Sequence, residues 1–224
     1  MPVSAPLEVL LVESPPFGQN AYLAFARGTR ECVVVDPGFD GDSLVREIDE
    51  RGLTLAAILI THGHVDHIAG NAIVKGRWPA CPIVIGRGDA RKLTDPEENL
   101  SAGYGMPVTS PPADVLVDEG QTYSAAGIEF QVREIPGHSS GHVVFVVREP
   151  SRQIIFGGDV LFAGSVGRTD FPDGDFDLLA AGIREKLFTL PDDTVVLPGH
   201  GPPTTVGEEK RDNPFVGAQA TERG

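Results

Sequence analysis

The sequence predicts an α/β or largely β architecture, read as one domain (1–224) of two sheets with helices outside. Three observations lead there. Short apolar runs rich in β-branched residues recur between turn residues, and helical periodicity appears in only three places. Glycine plus proline amount to 27 + 19 = 46 of 224 residues, an excess without Gly-X-Y period that suits tight turns and backbone-lined loops and disfavours a helical bundle. The 41% hydrophobic and 22% charged content is that of a globular chain.

In chain order, the expected strands of the first half are 7–12, 21–26, 32–35, 56–60 and 82–85. Those of the second half are 115–117, 128–132, 143–147, 153–156 and 194–197. Leu44, Val45 and Ile48 share a face of a helix over 41–51, with Gly52 as its stop. A second helix is expected from Asp66 or His67 to about Val74. A third covers 176–188, where Leu178, Leu179, Ile183 and Leu187 share a face. The stretch 87–112, with Asp-Pro, Gly-Tyr-Gly-Met-Pro and Ser-Pro-Pro, reads as a short helix and a surface loop.

A formal net charge of −14 speaks against nucleic-acid and anionic-membrane partners. No apolar run has the ~18 residues of a membrane span, and the first residues lack a secretory pattern, so a cytoplasmic location is expected. Cys32 and Cys81 form no metal motif; Cys32 reads as a buried strand thiol.

The chemistry concentrates in Thr61-His-Gly-His-Val-Asp-His67, directly after the apolar run ending at Ile60. In extended backbone, residues two apart point the same way, so His62 and His64 can grip one ion, while Asp66 and His67 swing toward a neighbouring position as the chain turns into a helix. His138 in Pro-Gly-His-Ser-Ser-Gly, Asp159 after Ile-Ile-Phe-Gly-Gly and His200 in Pro-Gly-His-Gly-Pro each follow an apolar strand. His142 is left as a supporting or core residue. Imidazole and carboxylate donors without thiolate suit zinc, iron or manganese.

The cluster His62–His67 with the separate His138, Asp159 and His200 resembles the metallo-β-lactamase superfamily, from Gln19 to Phe215. The resemblance implies an α+β, four-layer αββα sandwich with two divalent metals at one edge, zinc first and iron or manganese as alternatives. One ion would lie on His62, His64 and His138, the other on Asp66, His67 and His200, with Asp159 bridging; Asp66 is also a candidate base. The segment 158–175, Gly-Asp-Val-Leu-Phe…Gly-Arg-Thr-Asp-Phe, is similar to glyoxalase II-like hydroxyacylglutathione hydrolases. It implies hydrolysis of a small-molecule thioester such as S-lactoylglutathione, here without the C-terminal helical domain of the two-domain enzymes. Arg168 and Phe171 are candidate substrate contacts. Arg168 equally suits an ion pair with Asp170 or Asp173, and Phe171 and the 103–106 loop suit ordinary packing. The alternatives implied by the same residues are a mononuclear iron persulfide dioxygenase on His62, His138 and Asp159, or a lactonase or other ester hydrolase. Oligomeric state is left open.

Overall fold

The computed structural model describes residues 6–220; the ends of the expected 1–224 domain lie outside them. The first sheet holds β1 (Leu7–Ser14), β2 (Gln19–Ala26), β3 (Glu31–Val35), β4 (Thr54–Ile60), β5 (Ile83–Gly86) and β6 (Val115–Val117), in that spatial order. It begins as an antiparallel meander and becomes parallel from β3 onward. Helix α1 (Gly41–Glu50) makes the first parallel crossover, and α2 (Val65–Ile68) and α3 (Asn71–Arg77) lie in the next. The second sheet takes β7 (Thr122–Ala125), β8 (Ile128–Glu134), β9 (Val143–Arg148) and β10 (Gln153–Gly158). A small hairpin of β11 (Leu161–Phe162) and β12 (Ser165–Val166) and helix α4 (Phe176–Gly182) follow. β13 (Val195–Pro198) and β14 (Thr204–Thr205) then complete the second sheet, before α5 (Val206–Asp212).

Three buried layers make this an αββα sandwich. Between the sheets, Val33, Leu59 and Val84 meet Phe130, Phe145 and Phe156. Leu44 and Ile48 of α1 and Val74 of α3 cover the outer face of the first sheet. Leu179, Ile183 and Leu187 cover that of the second. The helix caps follow the sequence: Asp40 accepts from the Ser43 amide at 3.2 Å and Asp175 from the Leu178 amide at 3.0 Å. Gly52 ends α1 at φ +62°. Among the described residues, no helix is long and apolar enough to cross a membrane.

Two helical expectations are corrected. The helix expected over Asp66–Val74 is broken after Ile68, because Gly70 donates its amide to Pro37 O at 2.8 Å and lies so close to Gly38 that a Cβ would stand 2.3 Å from Gly38 O. The helix over 176–188 widens after Gly182 into a π-helical turn, Ile183–Leu187, closed by Phe188 N–H donating to Ile183 O. At Gly182 a side chain would meet Ile135 at 2.7 Å. Strands β7, β11, β12 and β14 and helix α5 are additions; each is short or carries too few apolar residues to show a period.

Candidate metal centre

The cluster sits where strands of both sheets end. Thr61–His67 leaves β4, His138 lies between β8 and β9, Asp159 follows β10, and His200 follows β13. The sheets are tied together at this edge. Thr61 O accepts from the Val143 amide at 2.8 Å, and Gly199 O from the Asn20 amide at 2.7 Å. Pro198 O accepts from Asn20 Nδ2 at 3.0 Å and from the buried Tyr22 hydroxyl at 2.7 Å.

All seven ligand-type residues expected from the sequence converge. His62 Nε2, His64 Nδ1 and His138 Nε2 form a triangle with sides of 3.1, 2.9 and 3.2 Å. A tetrahedral ion with bonds near 2.1 Å separates its nitrogens by about 3.4 Å, close to that triangle. Asp159 lies between this group and the second one. Its carboxylate is 3.5 Å from His138 Nε2, 3.4 Å from His67 Nε2 and 3.6 Å from His200 Nε2. Asp66 Oδ2 is 3.1 Å from His200 Nε2 and 3.9 Å from His67 Nε2. His67 Nε2 and Asp159 Oδ1 are buried without a hydrogen-bond partner. Orphaned donors and acceptors of this kind are costly unless something further coordinates them. The residues therefore fit metal ions, in the groups His62–His64–His138 and Asp66–His67–His200.

The outer nitrogens of His62, His67 and His138 have partners, as ligand orientation requires, whereas His64 Nε2 is buried without one. His138 Nδ1 donates to Arg168 O at 2.8 Å. His67 Nδ1 lies 3.0 Å from Asp36 Oδ2, and that carboxylate also accepts from the Thr61 amide at 2.7 Å and hydroxyl at 2.6 Å. His142 stacks on His62 and accepts the Asp159 amide proton at 3.1 Å, a supporting place.

Sequence reading missed Asp36, although it stands at the end of β3 much as Asp159 stands at the end of β10. It also missed a buried network beneath the loops. Asp89 accepts from the amides of Gly63 at 2.8 Å and Gly141 at 2.7 Å and from Ser139 Oγ at 2.5 Å. Lys92 donates to Ser139 and, at 2.6 Å, to Asp173, and lies 3.4 Å from Asp89. These contacts fix the residue between His62 and His64 against those just after His138.

Electrostatics divides the cluster. Burial, reinforced by His138 and Lys92, pushes His64 down to about 3; burial also lowers His62, His138 and His142. These rings are neutral, the form that binds metal. Burial also opposes charge on His67, but Asp159 and Asp66 outweigh it and raise its pKa. Asp159 is held well below the carboxylate range by His67, which outweighs its burial. Protons and a metal ion therefore compete for His67.

A pH dependence follows for the metal-free protein. The unfolded histidines, with pKa near 6.5, take up protons that folded His62, His64, His138 and His142 refuse, so stability rises as pH climbs toward 6.5, the His64 part of it between about 3 and 6.5. The raised groups, His67 and His200, act oppositely and lose their contribution above 6.5. The urea midpoint of the chelated protein is expected to fall on acidification from about pH 7 to 5; a flat midpoint contradicts this balance. Asp36→Asn is expected to weaken metal binding by about 10–100-fold in a chelator competition, because one amide oxygen cannot serve Thr61 and His67 as two carboxylate oxygens do.

A cavity of about 370 Å³ opens over the cluster, lined by Phe17, Tyr104, Phe162, Arg168 and Phe171 among others. The Phe171 ring lies 5.0 Å from that of His64; Phe171 and Tyr104, for which the sequence leaves a pocket wall and ordinary packing both open, form part of the wall. Arg168 has two kinds of neighbour. It lines the cavity, and it pairs with Asp170 through two bonds of 2.7 and 2.6 Å while its guanidinium lies 4.4 Å over Phe171. Asp173 goes instead to Lys92.

Comparison with known proteins is consistent with this geometry. The sequence model of the metallo-beta-lactamase superfamily matches residues 14–200. Hydroxyacylglutathione hydrolase GloC of Haemophilus influenzae is 33% identical over 217 residues, 96% of this chain and all of that protein. Among solved structures, the BLEG-1 B3 metallo-beta-lactamase is 36% identical, with a TM-score of 0.88 over 93% of this chain and 99% of that one. TTHA1623, solved in a di-iron-bound form, is 36% identical, with a TM-score of 0.79 over 92% and 99%.

Proposed function

Since the chain belongs to the metallo-β-lactamase superfamily, we propose that it is a hydrolase that cleaves a small-molecule thioester such as S-lactoylglutathione with two divalent ions. Zinc is the first choice and iron, as bound by TTHA1623, the alternative. The observation that carries the reading is the placement of Asp159 within 3.4–3.6 Å of His67, His138 and His200, a carboxylate between two ligand groups. When bound, such ions supply Lewis acidity and bring the pKa of water to about 7.

This chain's own residues do the rest. His62, His64 and His138 would hold one ion, and Asp66, His67 and His200 the other, with Asp159 shared. His62 and His67 are fully buried, whereas His64, Asp66, His138, Asp159 and His200 border the cavity, so substrate would reach both ligand groups through it. His67 and His200 outweigh burial and keep the Asp66 pKa low. A weakly basic carboxylate suits orienting the attacking water through a hydrogen bond better than storing its proton. The water gives up its proton to solvent, its oxygen forms the new C–O bond, the C–S bond breaks, and a thiolate leaves. With a thiol pKa near 8.5, that leaving group needs no strong acid. The likeness to GloC supports a thioester over an amide.

The test is metal quantification alongside thiol release from S-lactoylglutathione. About two ions per chain and release abolished by chelation are expected. One iron per chain with oxygen uptake on glutathione persulfide would replace this reading by the dioxygenase; turnover of lactones or other esters alone would replace it by an ester hydrolase.

A further inference from the structure

The cavity over the histidine cluster continues past Phe171. Leu100, Tyr104 and Phe171 also wall an adjoining hollow, and Leu100 borders a further one of about 410 Å³ beside Lys92, Glu97 and Asp173. These neighbouring hollows with shared wall residues are the cleft beside the candidate ligand groups, which lie in the first of them.

Two cationic side chains line this cleft, and both are already matched by carboxylates. Arg168 is bidentate on Asp170, with its guanidinium carbon 4.4 Å from the centre of the Phe171 ring. Lys92, buried, donates to Asp173 and lies 3.4 Å from Asp89. A leaving group thus meets an aromatic and aliphatic floor, and beyond it the exposed carboxylate of Glu97. Such a wall attracts neutral or cationic groups, Tyr104 and Phe171 offering ring faces to either. It opposes a tail with two carboxylates, which would lose hydration without gaining an uncommitted cation.

Resting on the thioester reading above, we propose that the thiol half of the preferred substrate carries no net negative charge and packs its neutral or cationic tail on Leu100, Tyr104 and Phe171. Glutathione thioesters, S-lactoylglutathione among them, are then hydrolysed with a lower kcat/KM than neutral or cationic ones.

The test uses one acyl group on three thiols: the D-lactoyl thioesters of glutathione, N-acetylcysteamine and thiocholine, with the metal-loaded enzyme. The neutral and cationic esters are expected to exceed the glutathione ester in kcat/KM by about tenfold or more at low salt, the gap narrowing as salt screens the charges. Glu97→Lys is expected to shift the glutathione-to-N-acetylcysteamine ratio several-fold toward glutathione. Binding is read separately by calorimetry on the metal-free protein, with the S-benzyl derivatives of glutathione and N-acetylcysteamine, the latter binding more tightly. A glutathione ester hydrolysed as well as or better than the others, or tighter binding of S-benzylglutathione, overturns the proposal. If none of the three esters is hydrolysed, the thioester reading fails, while the binding order still decides the charge preference of the cleft.

Discussion

Asp159→Ala is expected to lower kcat/KM for the thioester by about a thousandfold or more, equivalent to about 4 kcal/mol of transition-state stabilisation. Metal content should fall from about two ions to one or fewer. The reason is position. The Asp159 carboxylate lies within 3.6 Å of imidazoles from both ligand groups, His138 on one side and His67 and His200 on the other. Two divalent ions about 3.5–4 Å apart repel strongly, and a shared anion offsets that repulsion. In the variant His67 also loses the first of the carboxylates that raise its pKa. Elemental analysis with a thiol-release assay checks both outcomes; full metal content with undiminished turnover would contradict them.

Asp89→Ala is expected to destabilise the metal-free protein by about 3 kcal/mol in urea unfolding. Removing one partner of a buried pair costs about 3–5 kcal/mol, and the lower end applies because Asp173 still holds Lys92. Two buried amides, of Gly63 and Gly141, lose their acceptor. The backbones pack closely here, for a Cβ at Gly141 would stand 2.2 Å from the Asp89 amide nitrogen. Asp173→Asn, at a half-exposed carboxylate, is expected to cost about 1 kcal/mol or less. Equal losses for the two variants would show that Asp89 is not the centre of the network.

The sequence exposes what is local. His62, His64, Asp66 and His67 declare themselves by spacing, and the strands that carry His138, Asp159 and His200 by short β-branched runs. Asp36, Asp89 and Lys92 do not, because each acts on residues 25 to 81 positions away and none belongs to a repeat or spacing pattern. The break between α2 and α3 was hidden for a similar reason: the apolar period runs on, and only the approach of Gly70 to Gly38 interrupts it. Arg168 shows a third case, in which one side chain lines the cavity and pairs with Asp170 at once, so neither expectation excluded the other.

The ligands come from both halves of the sandwich, with residues 62–67 leaving the first sheet and His138, Asp159 and His200 the second. A bound cation would therefore act as a reversible crosslink between chain segments as distant as 66 and 200, closing a loop that no disulfide closes, since both cysteines are free. Resistance to denaturant and protease should consequently track free metal concentration, by about 1.4 kcal/mol for each tenfold excess over the dissociation constant.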